Sequence, residues 1–190
     1  MRNTVNTRQN TRPALDRRTF LKVVELTGSG FLIGCSRSDV AGSTPALDSD
    51  FEMGPFIRIG TDNTVTVLIK HRAKGQGVTT GLPTIVAEEL DASWSQMRAE
   101  FAPADVTLYA NRSLGGAQGT GGSTSVADSW TQLREAAAGA RAMLLQAAAA
   151  AWQVSADEIT VSGGELAHTM SGRRATFGEL AAYAADETPP

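Results

Sequence analysis

Apolar and polar residues change their period several times along this chain. From Pro55 to Gly60 they alternate, as in a strand with one buried face. Thr61-Asp62-Asn63 has turn chemistry, and Thr64 to Lys70 is rich in β-branched residues, so the pair predicts a hairpin. The period then becomes helical. Leu82, Ile85, Val86 and Leu90 share one face, with Pro83 tolerated in the first turn. Met97 to Ala102 predicts another strand, and Pro103 to Thr124 a long loop of the kind that usually carries function. Ser125-Val126-Ala127-Asp128 resembles a capping box with Asp in place of Glu. After it, Val126, Trp130, Leu133, Ala137, Ala140 and Leu144 form a helical stripe running to about Trp152. Glu158 to Ser162 and Glu165 to Thr169 predict a hairpin around Gly163-Gly164, and Thr176 to Ala185 a last short helix. The expected fold class is α/β, a mixed sheet with helices packed on it, in the order ββαβαββα.

Composition narrows the chemistry. The chain has 190 residues, 42% of them hydrophobic, enough for one domain with a real core. A net charge of −3, without a basic stripe interleaved with aromatics, argues against a nucleic-acid partner. Cys35 is the single cysteine, which excludes an internal disulfide and a cysteine-based metal or iron–sulfur site. His71 and His168 lie far apart and have no partner at metal-ligand spacing, so each is expected to be surface or core filler. No metal ligand and no catalytic residue is expected from the pattern. Glu88-Glu89 are expected on the solvated face of a helix, and Arg173-Arg174 in a solvated turn. Trp94, Trp130 and Trp152 are expected as core or rim anchors.

The N-terminus reads as an address. Asp16-Arg17-Arg18-Thr19-Phe20-Leu21-Lys22 resembles a twin-arginine export signal. The stretch from Val23 to Gly34 is only modestly apolar, contains Glu25, and is too short to span a bilayer. Leu32-Ile33-Gly34-Cys35 has the form of a lipoprotein processing box, making Cys35 a candidate lipidation site. The expected organisation is a signal over residues 1–35, a polar linker over 36–54, and a folded segment over 55–188. The expected location is the periplasm, with contact to the inner membrane only through the signal or a lipid anchor.

Two glycine-rich loops carry the candidate binding chemistry. Gly75-Gln76-Gly77-Val78-Thr79-Thr80 and Gly119-Thr120-Gly121-Gly122-Ser123-Thr124-Ser125 both read Gly-x-Gly-x-x-Thr, and each opens a predicted helix. Glycine allows close backbone approach, and a helix N-terminus offers unpaired N–H groups and a positive dipole end. Two such ends in one domain point to an extended, phosphate-bearing cofactor. Gly122 stands where a P-loop needs Lys, so that motif fails. The dinucleotide fingerprint lacks its third glycine, and a nucleophile elbow lacks its last one. Two helix caps joined to glycine turns would leave the same pattern. Gln76 offers an amide donor and acceptor for a polar ring or an oxo group, and Thr120, Ser123, Thr124 and Ser125 offer hydroxyls.

These residues also carry a family resemblance. Asp62 to Val67, Lys74-Gly75-Gln76-Gly77, Leu82 to Leu90, and Gln118 to Ser125 together resemble the large subunit of molybdenum hydroxylases, of the isoquinoline 1-oxidoreductase β-subunit type. That group lies within the xanthine dehydrogenase/aldehyde oxidase superfamily, and the resemblance runs from about Arg17 to Ala185. It implies a molybdopterin-binding fold and hydroxylation of an aldehyde or N-heterocycle with oxygen from water. It implies a molybdopterin cofactor, in bacteria as a cytosine dinucleotide, and a partner small subunit with two [2Fe–2S] clusters. By position, Gln76, flanked by Gly75 and Gly77, is expected at the pterin–molybdenum end. Gly119, Thr120, Gly121, Gly122, Ser123, Thr124 and Ser125 are expected around pterin or pyrophosphate. Ala73-Lys74 stands where the family carries Glu-Met, and Lys74 is a candidate phosphate contact. The family's catalytic glutamate lies far downstream, in domains that share the cofactor, and no residue here matches it. The competing readings are a non-catalytic exported lipoprotein or degenerate remnant, and a lone nucleotide-binding module.

Overall fold

The hairpin read from the β-branched run is the centre of the fold. In the computed structural model, which describes residues 50–188, strand β2 (Ile57–Gly60) pairs antiparallel with β3 (Val65–Ile69). Asp62 closes the turn between them: its carboxylate accepts from the Thr64 N–H at 2.9 Å and the Thr64 hydroxyl at 2.6 Å. Both strands are buried almost throughout.

Helix α1 (Val78–Leu90) returns the chain so that β4 (Met97–Phe101) lies parallel to β3. Leu82, Ile85, Val86 and Leu90 are buried, as the helical period requires, and α1 packs on β3 and β4. Pro83 is not in the first turn. Helix α1 starts at Val78, so Pro83 sits inside it and removes the ladder bond to the Thr79 carbonyl; one residue on, the Thr84 hydroxyl donates to the Thr80 carbonyl at 2.9 Å.

The region expected to be a polar linker reaches further into the fold than its composition implied. Strand β1 (Asp50–Glu52) adds an edge to the sheet, giving the order β1-β2-β3-β4, and Met53 is buried. Backbone pairing with β2 and an Arg58–Asp50 ion pair hold this strand, which is too short to show a period. Arg58 also pairs with Glu100 across the sheet. The export signal, the processing box and Cys35 lie outside the described residues.

The long loop holds one helical turn, α2 (Val106–Tyr109), and a 3-10 turn over Arg112–Leu114. Helix α3 (Ser125–Trp152) follows. Its N-cap is Thr124, so the expected capping box is absent, and Asp128 turns inward instead of back to the helix start. Leu133, Ala137, Ala140 and Leu144 are buried, and the small alanines let α3 lie close against α1 and α4 (Phe177–Ala184). Val126 and Trp130 are about half exposed, and Trp94 more so, which corrects the reading of these tryptophans as anchors. Only Trp152 is partly buried against the core. Among the described residues no helix is long and apolar enough to cross a membrane.

A second sheet corrects the single-sheet expectation. Strands β5 (Ile159–Ser162), β6 (Glu165–His168) and β7 (Arg173–Thr176) are antiparallel in that order. Arg173-Arg174 belongs to β7 and not to a turn. The two arginine side chains are exposed at a sheet edge, and the strand is held by backbone pairing with β6 and by Ala175 against the core. Thr176 caps α4 in a reciprocal box with Glu179, each accepting from the other's backbone N–H, at 3.3 and 2.7 Å. Thr176→Ala should therefore cost about 1 kcal/mol in urea unfolding. A cost near zero would mean that solvent replaces the cap without loss.

Candidate active site

The two glycine-rich loops meet at the C-terminal end of β3. Gln76 turns its side chain back onto its own loop. Its carbonyl oxygen accepts from the Lys74 N–H at 2.5 Å, and its amide donates to the Arg72 carbonyl at 2.8 Å. The amide therefore shapes residues 72–76 before it can serve anything else. Gly77 ends the loop at φ 78°, in the left-handed region, and is the N-cap of α1 with no side-chain cap. No side-chain oxygen caps the first turn of α1, where the Thr80 N–H donates to the Gly77 carbonyl at 3.1 Å and no acidic residue lies.

Asn111, which is almost fully buried, organises the second loop. Its amide donates to the Gly119 carbonyl at 3.1 Å and the Thr124 hydroxyl at 2.9 Å, and its carbonyl oxygen accepts from the Ser113 N–H at 3.0 Å. The Thr124 hydroxyl in turn donates to the Gly121 carbonyl at 2.9 Å. Thr124 is consumed by this network, and Ser125 is buried in the first turn of α3. Gly75, Gly77, Gly122 and Ser123 are exposed, while Gly119, Thr120 and Gly121 are half-buried. Helix α3, like α1, starts without a side-chain cap bond.

Thr120 ties the loops together. Its hydroxyl accepts from the Arg72 N–H at 2.8 Å, and its carbonyl accepts from the Lys74 ammonium at 2.9 Å. Between them opens a cleft of about 300 Å³, lined by Lys70, Arg72, Lys74, Gln118 and Thr120 among others. Arg72 extends over the Phe101 ring, 4.9 Å from its centroid.

Beneath the cleft lies an ion pair that the pattern of residues did not reveal. The Lys70 ammonium is 2.6 Å from the Asp128 carboxylate, and both side chains are only 2% exposed. Lys70 also donates to the Ala110 carbonyl at 3.1 Å and to Gln132 at 2.7 Å, and Asp128 accepts from the Arg112 N–H at 2.9 Å. Burial pushes the Asp128 carboxyl up, but Lys70 and the neighbouring backbone amides outweigh it and hold the group below its ordinary value. His71 is fully buried, 3.6 Å from the same carboxylate. Burial and the Lys70 charge push its imidazole below 6.5, against the pull of Asp128. Below that pH the unfolded chain takes up a proton that the folded chain resists. Stability is therefore full above pH 6.5 and falls as pH drops below it. Urea unfolding at pH 7.5 and 5.5 should show a smaller acid loss in His71→Gln than in the wild type; equal losses would contradict this.

The site is thus a wall of donors and cations. Gln76, Asn111, Thr120 and Thr124 are already hydrogen-bonded within or between the loops, and the cations of Arg72 and Lys74 line the cleft. A Cβ placed at Gly75 or Gly77 would meet nothing within 4 Å, so the space in front of the backbone there is open to a ligand. This donor set fits an anionic, oxygen-rich group; among the described residues no three or more His, Cys, Asp or Glu side chains group so as to hold a metal ion.

The sequence profile of the molybdopterin cofactor-binding domain matches residues 8–190. The chain belongs to this family. Isoquinoline 1-oxidoreductase subunit beta of Brevundimonas diminuta is 36% identical over 175 residues. The membrane-bound aldehyde dehydrogenase [pyrroloquinoline-quinone] of Gluconacetobacter polyoxogenes is 30% identical over 175 residues. These alignments cover 85% and 89% of this chain but only 22% and 21% of the relatives. The chain thus spans about a fifth of their length. Two solved structures share the fold: quinoline 2-oxidoreductase from Pseudomonas putida 86, at a TM-score of 0.52, and the Cu,Mo-CO dehydrogenase, at 0.51. They are 24% and 22% identical, covering 70% and 74% of this chain, and 16% and 19% of the neighbours. The chain is a molybdopterin-binding domain of mixed α/β fold, homologous to molybdenum hydroxylase subunits.

Proposed function

We propose that this domain forms one wall of the cofactor site in an exported molybdenum hydroxylase, which hydroxylates an aldehyde or N-heterocycle with oxygen from water. The observation that carries the reading is the junction at Thr120. It joins two glycine loops, each leading into an uncapped helix, and sets Arg72 and Lys74 beside them. When bound, molybdopterin supplies a molybdenum centre for oxygen and electron transfer.

Gly75 and Gly77 let the first loop approach the pterin–molybdenum end, with Gln76 shaping that loop from within. Gly119, Thr120, Gly121, Gly122 and Ser123 provide backbone and hydroxyl groups for pterin or pyrophosphate, while Thr124 and Ser125 support the turn from behind. Lys74 and Arg72 balance the phosphate charge at the cleft mouth. The form of the cofactor in this reading is the cytosine dinucleotide. The catalytic glutamate and the opposite wall come from residues outside this chain, as its short coverage of the relatives allows. Electrons leave through a separate [2Fe–2S] subunit. The arginine pair at Arg17-Arg18 supports export by the twin-arginine route, with lipidation at Cys35 if the processing box is cut.

Gln76→Ala tests the first loop. Losing its two internal hydrogen bonds should cut pterin retained per chain about tenfold, the equivalent of about 1.4 kcal/mol. The thermal midpoint should barely move, because Gln76 is exposed. Wild-type pterin content in a folded variant would contradict the assignment.

A further inference from the structure

The Lys70–Asp128 pair poses a physical question. A buried ion pair seldom stabilises a fold more than apolar side chains of the same size would. What apolar side chains cannot supply is direction. Lys70 follows β3 and stands two residues before Arg72, whose N–H binds Thr120. Asp128 accepts from Arg112, the neighbour of the Asn111 that holds Gly119 and Thr124. The contacts therefore close a ring: Lys70, Asp128, Arg112, Asn111, Gly119, Thr120, Arg72 and back to Lys70. The ion pair is the only charged link among these ring contacts, and the Lys70 donors to Ala110 and Gln132 brace it from both sides.

We propose that Lys70 and Asp128 are positioning residues that fix the two glycine loops relative to each other and so set the shape of the cofactor wall. The proposal rests on the molybdopterin reading for its consequence, but its geometric claim stands apart from it. If the pair served stability alone, any substitution that restored stability would restore the site. If it positions the loops, stability and loop order separate.

The double substitution Lys70→Met with Asp128→Leu makes that separation. The thermal midpoint should return to within about 5 °C of wild type, since apolar replacement of a buried pair is often neutral. Amide hydrogen exchange over residues 71–77 and 110–124 should nevertheless speed up about tenfold or more, because the ring is open. Pterin retained by the polypeptide of the full reading frame should fall by about tenfold, as is usual when a supporting shell is removed. Wild-type exchange rates in both loops would overturn the proposal. So would wild-type pterin content in the variant. A wild-type protein without pterin would contradict the functional reading alone, and the exchange comparison would still decide the positioning claim. Should the double variant unfold, Asp128→Asn keeps the volume and the acceptor for the Arg112 N–H while removing the charge. Its loops should also exchange faster, and wild-type protection in that variant overturns the proposal equally.

Discussion

Asp128→Ala should destabilise the folded chain by about 3 kcal/mol or more, the cost of stranding a buried charge. Lys70 would keep the Ala110 carbonyl and Gln132 but lose its counter-ion, and the Arg112 N–H would lose its acceptor. The pH profile carries a second mark. Because Asp128 is held below 3.8, its contribution is full above that pH and disappears as pH falls through the depressed value. The variant should therefore show a shallower acid limb in urea unfolding. A loss under 1 kcal/mol with an unchanged acid limb would mean that water reaches and screens the pair.

Gly178→Ala should cost about 3 kcal/mol, the upper end for overpacking. A Cβ there would meet the Asn63 backbone nitrogen at 2.7 Å and the Gly60 and Thr61 carbonyl oxygens at 2.8 Å, none of which can rotate away. The Gly178 N–H also donates to the Asn63 side chain at 3.0 Å, a bond the displaced helix would lose. This contact docks α4 onto the β2–β3 turn. Gly164 makes the neighbouring contacts: it donates to the Asp91 carbonyl and accepts from the Phe177 N–H. Equilibrium unfolding of Gly178→Ala at wild-type stability would mean that α4 can shift on the turn freely.

Much of this architecture was legible because its elements are long or strongly patterned. The β2–β3 hairpin combined β-branched residues with Asp-Asn turn chemistry. Helix α1 showed its buried face at i, i+3, i+4 and i+8. The β5–β6 hairpin announced itself through Gly163-Gly164, both of which adopt positive φ. Strands β1 and β7 were not legible, because three or four mostly polar residues with a single apolar one, Phe51 or Ala175, are too few to show a side-chain period. Trp130 misled because a helical stripe shows which residues share a face, not how far along the helix the neighbouring core extends.

The candidate site was half legible. Positions of glycine, serine and threonine marked both loops, and the family resemblance assigned them a common ligand. What no local pattern could show is how those side chains are spent. Gln76, Thr120 and Thr124 were read as groups offered outward, yet Gln76 and Thr124 are first engaged in shaping their own loops and Thr120 in joining the two. Asn111 and the Lys70–Asp128 pair gave no signal that was read, since Gly119 and Thr124 lie 8 and 13 residues from Asn111, Asp128 lies 58 from Lys70, and only the fold brings them together. Asp128 was the more deceptive of the two, because its place in the first turn of a helix also suits a cap.

The central claim is that these two loops hold molybdopterin, and the most direct measurement is the cofactor content of the polypeptide made from the full reading frame in a host that synthesises molybdopterin. Oxidation to the fluorescent pterin, with molybdenum assayed on the same sample, should find pterin and metal in equal amounts. Both should fall together in a variant with Gly75→Val and Gly122→Val, which alters one exposed, positive-φ glycine in each loop. A folded wild-type protein carrying neither pterin nor molybdenum, or retention unchanged in that variant, would contradict the account.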